Sequence, residues 1–276
     1  MCMNKRYTWL WDFPSSELRA DKIVSFCRSH NVGTIFLHYP KNAFDEFYSW
    51  LIKQATAHGI EVHATAGEPL WALPEGERHI MDFLQRVKHY NESHLASAQF
   101  TGIHFDIEPH TLRKSKGDPL DWEADREQIV WSWTNNVDTY TDYIAREIQV
   151  PVSCTLQFST ENILIGPDKQ KTLTEYMIDR HDKVVVMAYR NFAQGHDSII
   201  YHAQNELNIA DGLQKPNSVI VAVETTSVEP SKVTFAGTGR RYMYRQLDIV
   251  DHTFMDYKSY AGHAIHHLMS WMDMPV

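Results

Sequence analysis

Short apolar runs alternate with longer amphipathic ones along the whole chain. The short runs read as strands: RYTWLW (6–11), GTIFLHY (33–39), EVHATA (61–66), a fourth over about 102–108, PVSCTLQF (151–158), KVVVMAY (183–189), SVIVAVET (218–225) and HAIHHLMSW (263–271). Between them, apolar positions recur at helical spacing. Helices are expected over 15–31, 42–59, from about Glu75 to His94, and over 125–149, 172–181, 198–212 and 241–260. Ser15 or Ser16 would cap the first, with Leu18, Ile23, Val24 and Cys27 on its apolar face, and Gly59 would close the second.

Eight strands separated by seven helices point to parallel pairing, because each crossover is long enough to carry a helix. About 250 residues is the usual size of a (β/α)8 TIM barrel, and this chain has 276. A doubly wound open sheet is the competitor, but it would normally carry a G-x-G-x-x-G loop, and none is present. The expectation is one α/β domain over 1–276, a single TIM barrel. Only five residues follow Trp271, so a regular eighth helix is expected to be lacking. A partner subunit, the N-terminus or a loop would then cover the wall beside strands eight and one, which makes a homodimer through that region one expectation.

The fourth strand asks for an explanation. Its stretch TGIHFDIEPH (101–110) places two carboxylates in an otherwise strand-like segment. Side chains alternate along a strand, so His104, Asp106 and Glu108 share one face and Ile103, Phe105 and Ile107 the other. With the apolar face against the helices, the polar three point into the barrel. Glu108 then lies at the C-terminal mouth, where active sites of this fold sit, and Asp106 about 6 to 7 Å below it. Two interior carboxylates so close tend to share a proton, and a carboxylic acid protonated near neutral pH is what a general acid needs. An Asp that merely bonds neighbouring strands and a Glu that rims a loop is the plain alternative.

Other strand ends add polar and aromatic groups. Tyr189 follows Met187 on the inward face of strand six, and Trp271 would end strand eight as a floor for a sugar ring. Strand five offers Ser153, Thr155 and Gln157, strand seven offers Glu224, and the loop after strand three carries Glu68 and Trp71. Tyr189 and Trp271 also read as core residues, Gln157 as a partner for a neighbouring strand, and Glu224 as the ion-pair partner of an arginine such as Arg190. The polar loop 110–125 follows Glu108 directly and reads as a lid or substrate wall, with Arg113, Lys114 and Lys116 as solvated charges or contacts to an anionic substituent.

A D-x-E ending strand four, M-x-Y ending strand six and a tryptophan ending strand eight resemble the chitinase-like family 18 glycoside hydrolases. The resemblance implies a glycosidase. Glu108 would be the acid/base, Asp106 its partner, Tyr189 the holder of the substrate's N-acetyl group, and Trp271 a wall of the subsite beside the cleaved bond. The family pattern D-x-x-D-x-D-x-E has Thr101 and His104 in place of its first two aspartates here, and Arg190 stands where an aspartate usually follows the tyrosine.

Three other readings stay open. Glu108 and Glu224 would serve a retaining glycosidase, whose carboxyl groups sit about 5 to 5.5 Å apart. Among 16 histidines, His38, His63 and His104 lie on adjacent strands and with Asp106 could hold a metal, although neither H-x-H nor H-E-x-x-H occurs. A non-catalytic carbohydrate-binding barrel is the third. No resident cofactor or metal is expected for the glycosidase.

Charge and composition narrow the field. A net charge of -9 offers no basic stripe for nucleic acid, and no stretch of 18 apolar residues spans a membrane. The residues Cys2, Cys27 and Cys154 have no disulfide or zinc spacing and read as reduced thiols. The N-terminus lacks the features of a signal peptide, so a cytoplasmic carbohydrate-active enzyme is expected, with a trimmed secreted form as the alternative.

Overall fold

The computed structural model describes residues 5–11 and 17–276; Cys2, the caps expected at Ser15 or Ser16 and the side chain of Leu18 lie outside them. Eight parallel strands close into a barrel in chain order: β1 (Arg6–Leu10), β2 (Val32–His38), β3 (Glu61–Ala66), β4 (Gly102–Phe105), β5 (Val152–Leu156), β6 (Lys183–Met187), β7 (Val219–Glu224) and β8 (Tyr260–His266). Around it run α1 (Glu17–Ser29), α2 (Asp45–Ala57), α3 (Gly76–Ser93), α4 (Arg126–Tyr143), α5 (Leu173–Arg180), α6 (Ile199–Gly212), α7 (Arg240–Phe254) and α8 (Leu268–Asp273). The TIM-barrel expectation therefore holds. No described helix is long and apolar enough to cross a membrane.

The alternation read along the fourth strand is also observed. Ile103, Phe105 and Ile107 are buried with the helices in the outer apolar layer. A separate inner cluster fills the barrel, with Tyr7, Trp9 and Phe36 from β1 and β2 against Val185, Ile220, Ala222 and Ala264 from β6 to β8. Large rings on one side are matched by small or β-branched side chains on the other, so the interior closes without a pore. His104 belongs to this interior: its ring stacks on Phe36 at 3.9 Å and meets Trp9 at 5.6 Å.

Most elements end within a few residues of their expected limits, and the exceptions have identifiable causes. The helix expected over 125–149 ends as α4 at Tyr143, followed by a wider turn, Ile144–Ile148, before Gln149 takes a left-handed conformation with φ 60°. The strand expected over 263–271 is the larger correction. The hydroxyl and backbone N–H of Thr225 both donate to the His266 carbonyl at 2.7 Å. The pair holds the strand end in place at His266. The Ser270 hydroxyl then accepts the His267 N–H at 3.2 Å and α8 begins.

An eighth helix is thus present, six residues long, and it packs on β1 and β8. It lies against the wall for which a partner subunit, the N-terminus or a loop was the expected cover. Trp271 lies in this helix, outside the barrel, and is fully buried. Its indole meets Phe26 edge-on at 5.0 Å and donates to the Tyr244 hydroxyl at 3.0 Å. It is therefore not at the mouth and cannot floor a sugar subsite; an expected strand end five residues beyond His266 accounts for the difference. Truncating Trp271→Ala should cost about 3–5 kcal/mol of stability, seen as a lower denaturant midpoint.

Candidate active site

The carboxylates owe their position to how β4 ends. The strand's ladder stops at Phe105, but the Asp106 N–H still donates to the Ala66 carbonyl at 3.0 Å. Gly67 makes that approach feasible, because a Cβ there would sit 2.1 Å from the Asp106 carbonyl oxygen. Pro109 then opens a short turn, and the Glu108 carbonyl accepts from the Thr111 N–H at 3.1 Å and its hydroxyl at 2.8 Å. The turn pins the Glu108 backbone at the rim, and its side chain keeps 33% of its surface exposed.

Burial dominates the electrostatics. It raises the Glu108 carboxyl to about 7, helped by the neighbouring charges of Asp106 and Glu224 and opposed by His266. Burial also raises Asp106, against a hydrogen bond from Thr155 and the influence of His266. The same carboxylates, after burial, push the Tyr189 hydroxyl well above its ordinary range. That mutual influence ties Asp106, Glu108, Tyr189, Glu224 and His266 into one electrostatic group. Among the described residues, the Tyr189 hydroxyl makes no hydrogen bond, while its ring packs on the inner apolar cluster and lies 6.2 Å from His266.

Below Asp106 runs a neutral polar chain. His104 Nε2 lies 3.2 Å from the Thr155 hydroxyl and Nδ1 lies 2.9 Å from the Ser153 hydroxyl. Burial, chiefly, holds the pKa of His104 well below its ordinary value, so it stays neutral. The Thr155 hydroxyl, which also lowers the pKa of Asp106 by hydrogen bonding, joins the imidazole to that carboxyl. His104 thus supports Asp106 through Thr155 from inside the core and is not positioned to meet substrate.

Glu224 and His266 form the other half of the group. One Glu224 oxygen lies 2.8 Å from His266 Nδ1, and the other accepts from the backbone N–H groups of Thr225 and Thr226 at 2.7 and 2.6 Å. Burial would raise this carboxyl, but the bond from His266 and the backbone donors outweigh it and the net shift is down. Glu224 is paired with His266, not with Arg190. Arg190 binds Asp197 and the Tyr189 carbonyl, and stands 5.7 Å from the Phe158 ring.

His266 had no place in the sequence reading, because strand eight was carried past it to Trp271. Its signal was strand length: β7 ends in Glu224, and His266 pairs with Glu224 in the parallel register. The Trp11 indole, at the end of β1, donates to His266 Nε2 at 2.9 Å. That bond and the one to Glu224 together describe a neutral ring with its proton on Nδ1. Burial lowers the pKa of His266, yet the Glu224 carboxylate more than offsets it, so the net direction is up. Protonation at Nε2 would deprive Trp11 of its acceptor.

The remaining candidates lie around this group. Gln157 follows β5 and accepts from the Ser159 hydroxyl at 2.8 Å, beside Trp122 and His110. His110 Nε2 is 3.5 Å from a Glu108 oxygen. Trp71 sits in the turn Pro69–Ala72 and packs on α3, its ring parallel to His79 at 6.3 Å. In the loop 110–125, Arg113 donates to the carbonyls of His110 and Leu112, and Lys114 pairs with Asp125 at 2.7 Å. Both cations therefore serve the loop itself.

The metal alternative fails on geometry. His63 is a layer lower, against Gly102 and near Glu61, and the His38 ring faces Trp11 at 5.7 Å. Among the described residues, no three His, Cys, Asp or Glu side chains gather in a metal-holding group. Cys27 and Cys154 are buried and unpaired, and burial raises the pKa of both thiols.

Removing the charge of Asp106 by Asp106→Asn should shift the titration of Glu108 downward from about 7. Carboxyl carbon NMR across the pH range would read the shift directly.

No known protein-family model matches the chain, and no curated protein matches it in sequence. Solved structures do match in fold. A chitinase from Bacteroides thetaiotaomicron superposes with a TM-score of 0.53 at 13% identity, covering 97% of this chain and 90% of its own. The spore cortex-lytic enzyme SleL of Bacillus megaterium QM B1551 gives 0.58 at 11% identity, over 98% and 72%. A β-glucuronidase of Bacteroides uniformis gives 0.60 at 9% identity, over 95% of this chain and 30% of the other. The chain has the (β/α)8 fold shared by family 18 chitinases and related barrel glycosidases.

Proposed function

We propose that this chain is a glycoside hydrolase in which Glu108 is the general acid/base and Asp106 and Tyr189 assist, acting on an N-acetylated sugar. The observation that carries the reading is the state of Glu108. Its carboxyl is raised to about 7, partly exposed at the rim, on the same face as the half-buried Asp106 two residues before it. Such a group holds a proton near neutral pH and can reach a glycosidic oxygen. The glycosidase neighbours in fold support the same reaction class.

In the reaction, Glu108 gives its proton to the leaving oxygen as the bond from that oxygen to the anomeric carbon breaks. The substrate's acetamido oxygen forms the new bond to that carbon. Asp106 would orient the acetamido N–H, and the free Tyr189 hydroxyl would hold the acetamido oxygen. Water then attacks the anomeric carbon as the bond from that carbon to the acetamido oxygen breaks, and Glu108, now a base, takes the water's proton. Thr155 and His104 keep Asp106 in place from below.

A retaining mechanism with Glu224 as nucleophile is the weaker reading. A nucleophilic carboxylate needs a free oxygen aimed at the sugar. Both oxygens of Glu224 are engaged, by His266 on one side and two backbone N–H groups on the other, and the residue is only 5% exposed. Its geometry suits a fixed anion that orients His266.

Aryl glycosides with and without N-acetyl groups test the proposal. Glu108→Gln should reduce kcat on the N-acetyl substrate by about 10²- to 10⁴-fold. Because the protonated form is the working acid, wild-type activity should decline as pH rises through about 7. Equal turnover of plain glycosides would refute the role of the acetamido group. Glycan binding without any turnover would identify a binding barrel instead.

A further inference from the structure

A large concavity of this protein lies outside the barrel mouth. Between α4 and the small hairpin formed by Leu164–Ile165 and Lys171–Thr172 runs a groove of about 820 Å³. Two large apolar side chains face solvent there, Trp131 at 66% and Leu164 at 52% exposure. The groove is linked by shared lining residues to the neighbourhood of the candidate active site. A second hollow of about 340 Å³ shares Arg126 and Ile163 with it at one end and is lined by His110 and Gln157 at the other. His110 in turn contacts Glu108.

The rim chemistry restricts the occupant. Its cations are each matched by an anion: Arg126 by Glu123, Lys169 by Glu127 at 3.8 Å and Lys171 by Asp179 at 3.0 Å. Paired charges offer donors and acceptors side by side with little net field. That suits the hydroxyl edge of an uncharged sugar better than a phosphate or a polyanion. A pyranose also presents an apolar C–H face, for which an exposed indole plane is the complementary surface. A volume of about 820 Å³ is within the range of ligand clefts, roughly 300–1,000 Å³.

We propose that the groove between α4 and the 164–172 hairpin is a distal binding site for an uncharged linear oligosaccharide, whose far end rests on Trp131 while a nearer bond lies at Glu108. The inference rests on the glycosidase reading above and makes the substrate a chain of several sugars. Leu164 and Trp131 are its apolar contacts, and the hollow between Arg126 and Gln157 carries the intervening sugars.

The test compares an aryl disaccharide with a hexasaccharide of N-acetylglucosamine, in wild type, Trp131→Ala and Leu164→Ala. Both residues are exposed, so the variants should fold, and circular dichroism checks this. Trp131→Ala should raise KM for the hexasaccharide about tenfold, equivalent to roughly 1.4 kcal/mol, and leave kinetics on the disaccharide unchanged. Leu164→Ala should act in the same direction. Unchanged hexasaccharide kinetics, or equal losses on both substrates, would overturn the distal site. Should wild type cleave neither substrate, the catalytic reading fails. Hexasaccharide titration of wild type and Trp131→Ala then decides the groove separately: binding weakened in the variant supports it, and binding that is absent or unaltered refutes it. Tighter Trp131-dependent binding of a sulfated polysaccharide, or of a protein, would overturn the assignment to an uncharged glycan.

Discussion

The mouth of the barrel depends on keeping several acidic groups close together in a largely buried place. Asp106, Glu108 and Glu224 cannot all be bare anions there, since each burial opposes charge and each neighbour adds repulsion. The structure resolves this unequally. Glu224 receives three hydrogen-bond donors and remains an anion. Asp106 receives Thr155. Glu108, with the weakest support, is the one left near neutrality. The division of charge among them follows from where the donors are.

The fold makes that distribution possible. A closed parallel barrel sends the C-terminal ends of all eight strands to one rim, so the ends of β1, β6, β7 and β8 each bring one residue, and that of β4 two, to the same side of the barrel. The aromatic interior below them is tightly filled, which keeps His104 neutral and denies the carboxylates solvent from beneath. The rings of Trp9 and Phe36 therefore help set the proton affinity of residues they do not touch.

The two histidines of the site illustrate opposite uses of one side chain. His104 is stacked in the core, neutral, and serves as a spacer that holds Thr155 toward Asp106. His266 is bonded to a carboxylate on one nitrogen and to an indole on the other, so its proton is fixed in position by two partners. Beneath Asp106 and Glu108 the support is thus a neutral imidazole and two hydroxyls rather than a further acid.

The amino-acid sequence by itself determined the barrel, the inward face of the fourth strand and the pair Asp106 and Glu108. Those features are written in local periodicity: two-residue alternation in strands, helical spacing between them, and a polar triplet breaking an apolar face. It did not determine where β8 stops, because strand and short helix share the apolar run that ends in Trp271, and only the bonds from Thr225 on the neighbouring strand settle the boundary at His266. The partner of Glu224 was likewise undecided in the sequence, since Arg190 is consumed by Asp197 and His266 reaches Glu224 only through strand pairing across 42 residues. Local order follows from neighbouring residues. The pairing of charges at the rim depends on which strand ends the closed barrel brings together.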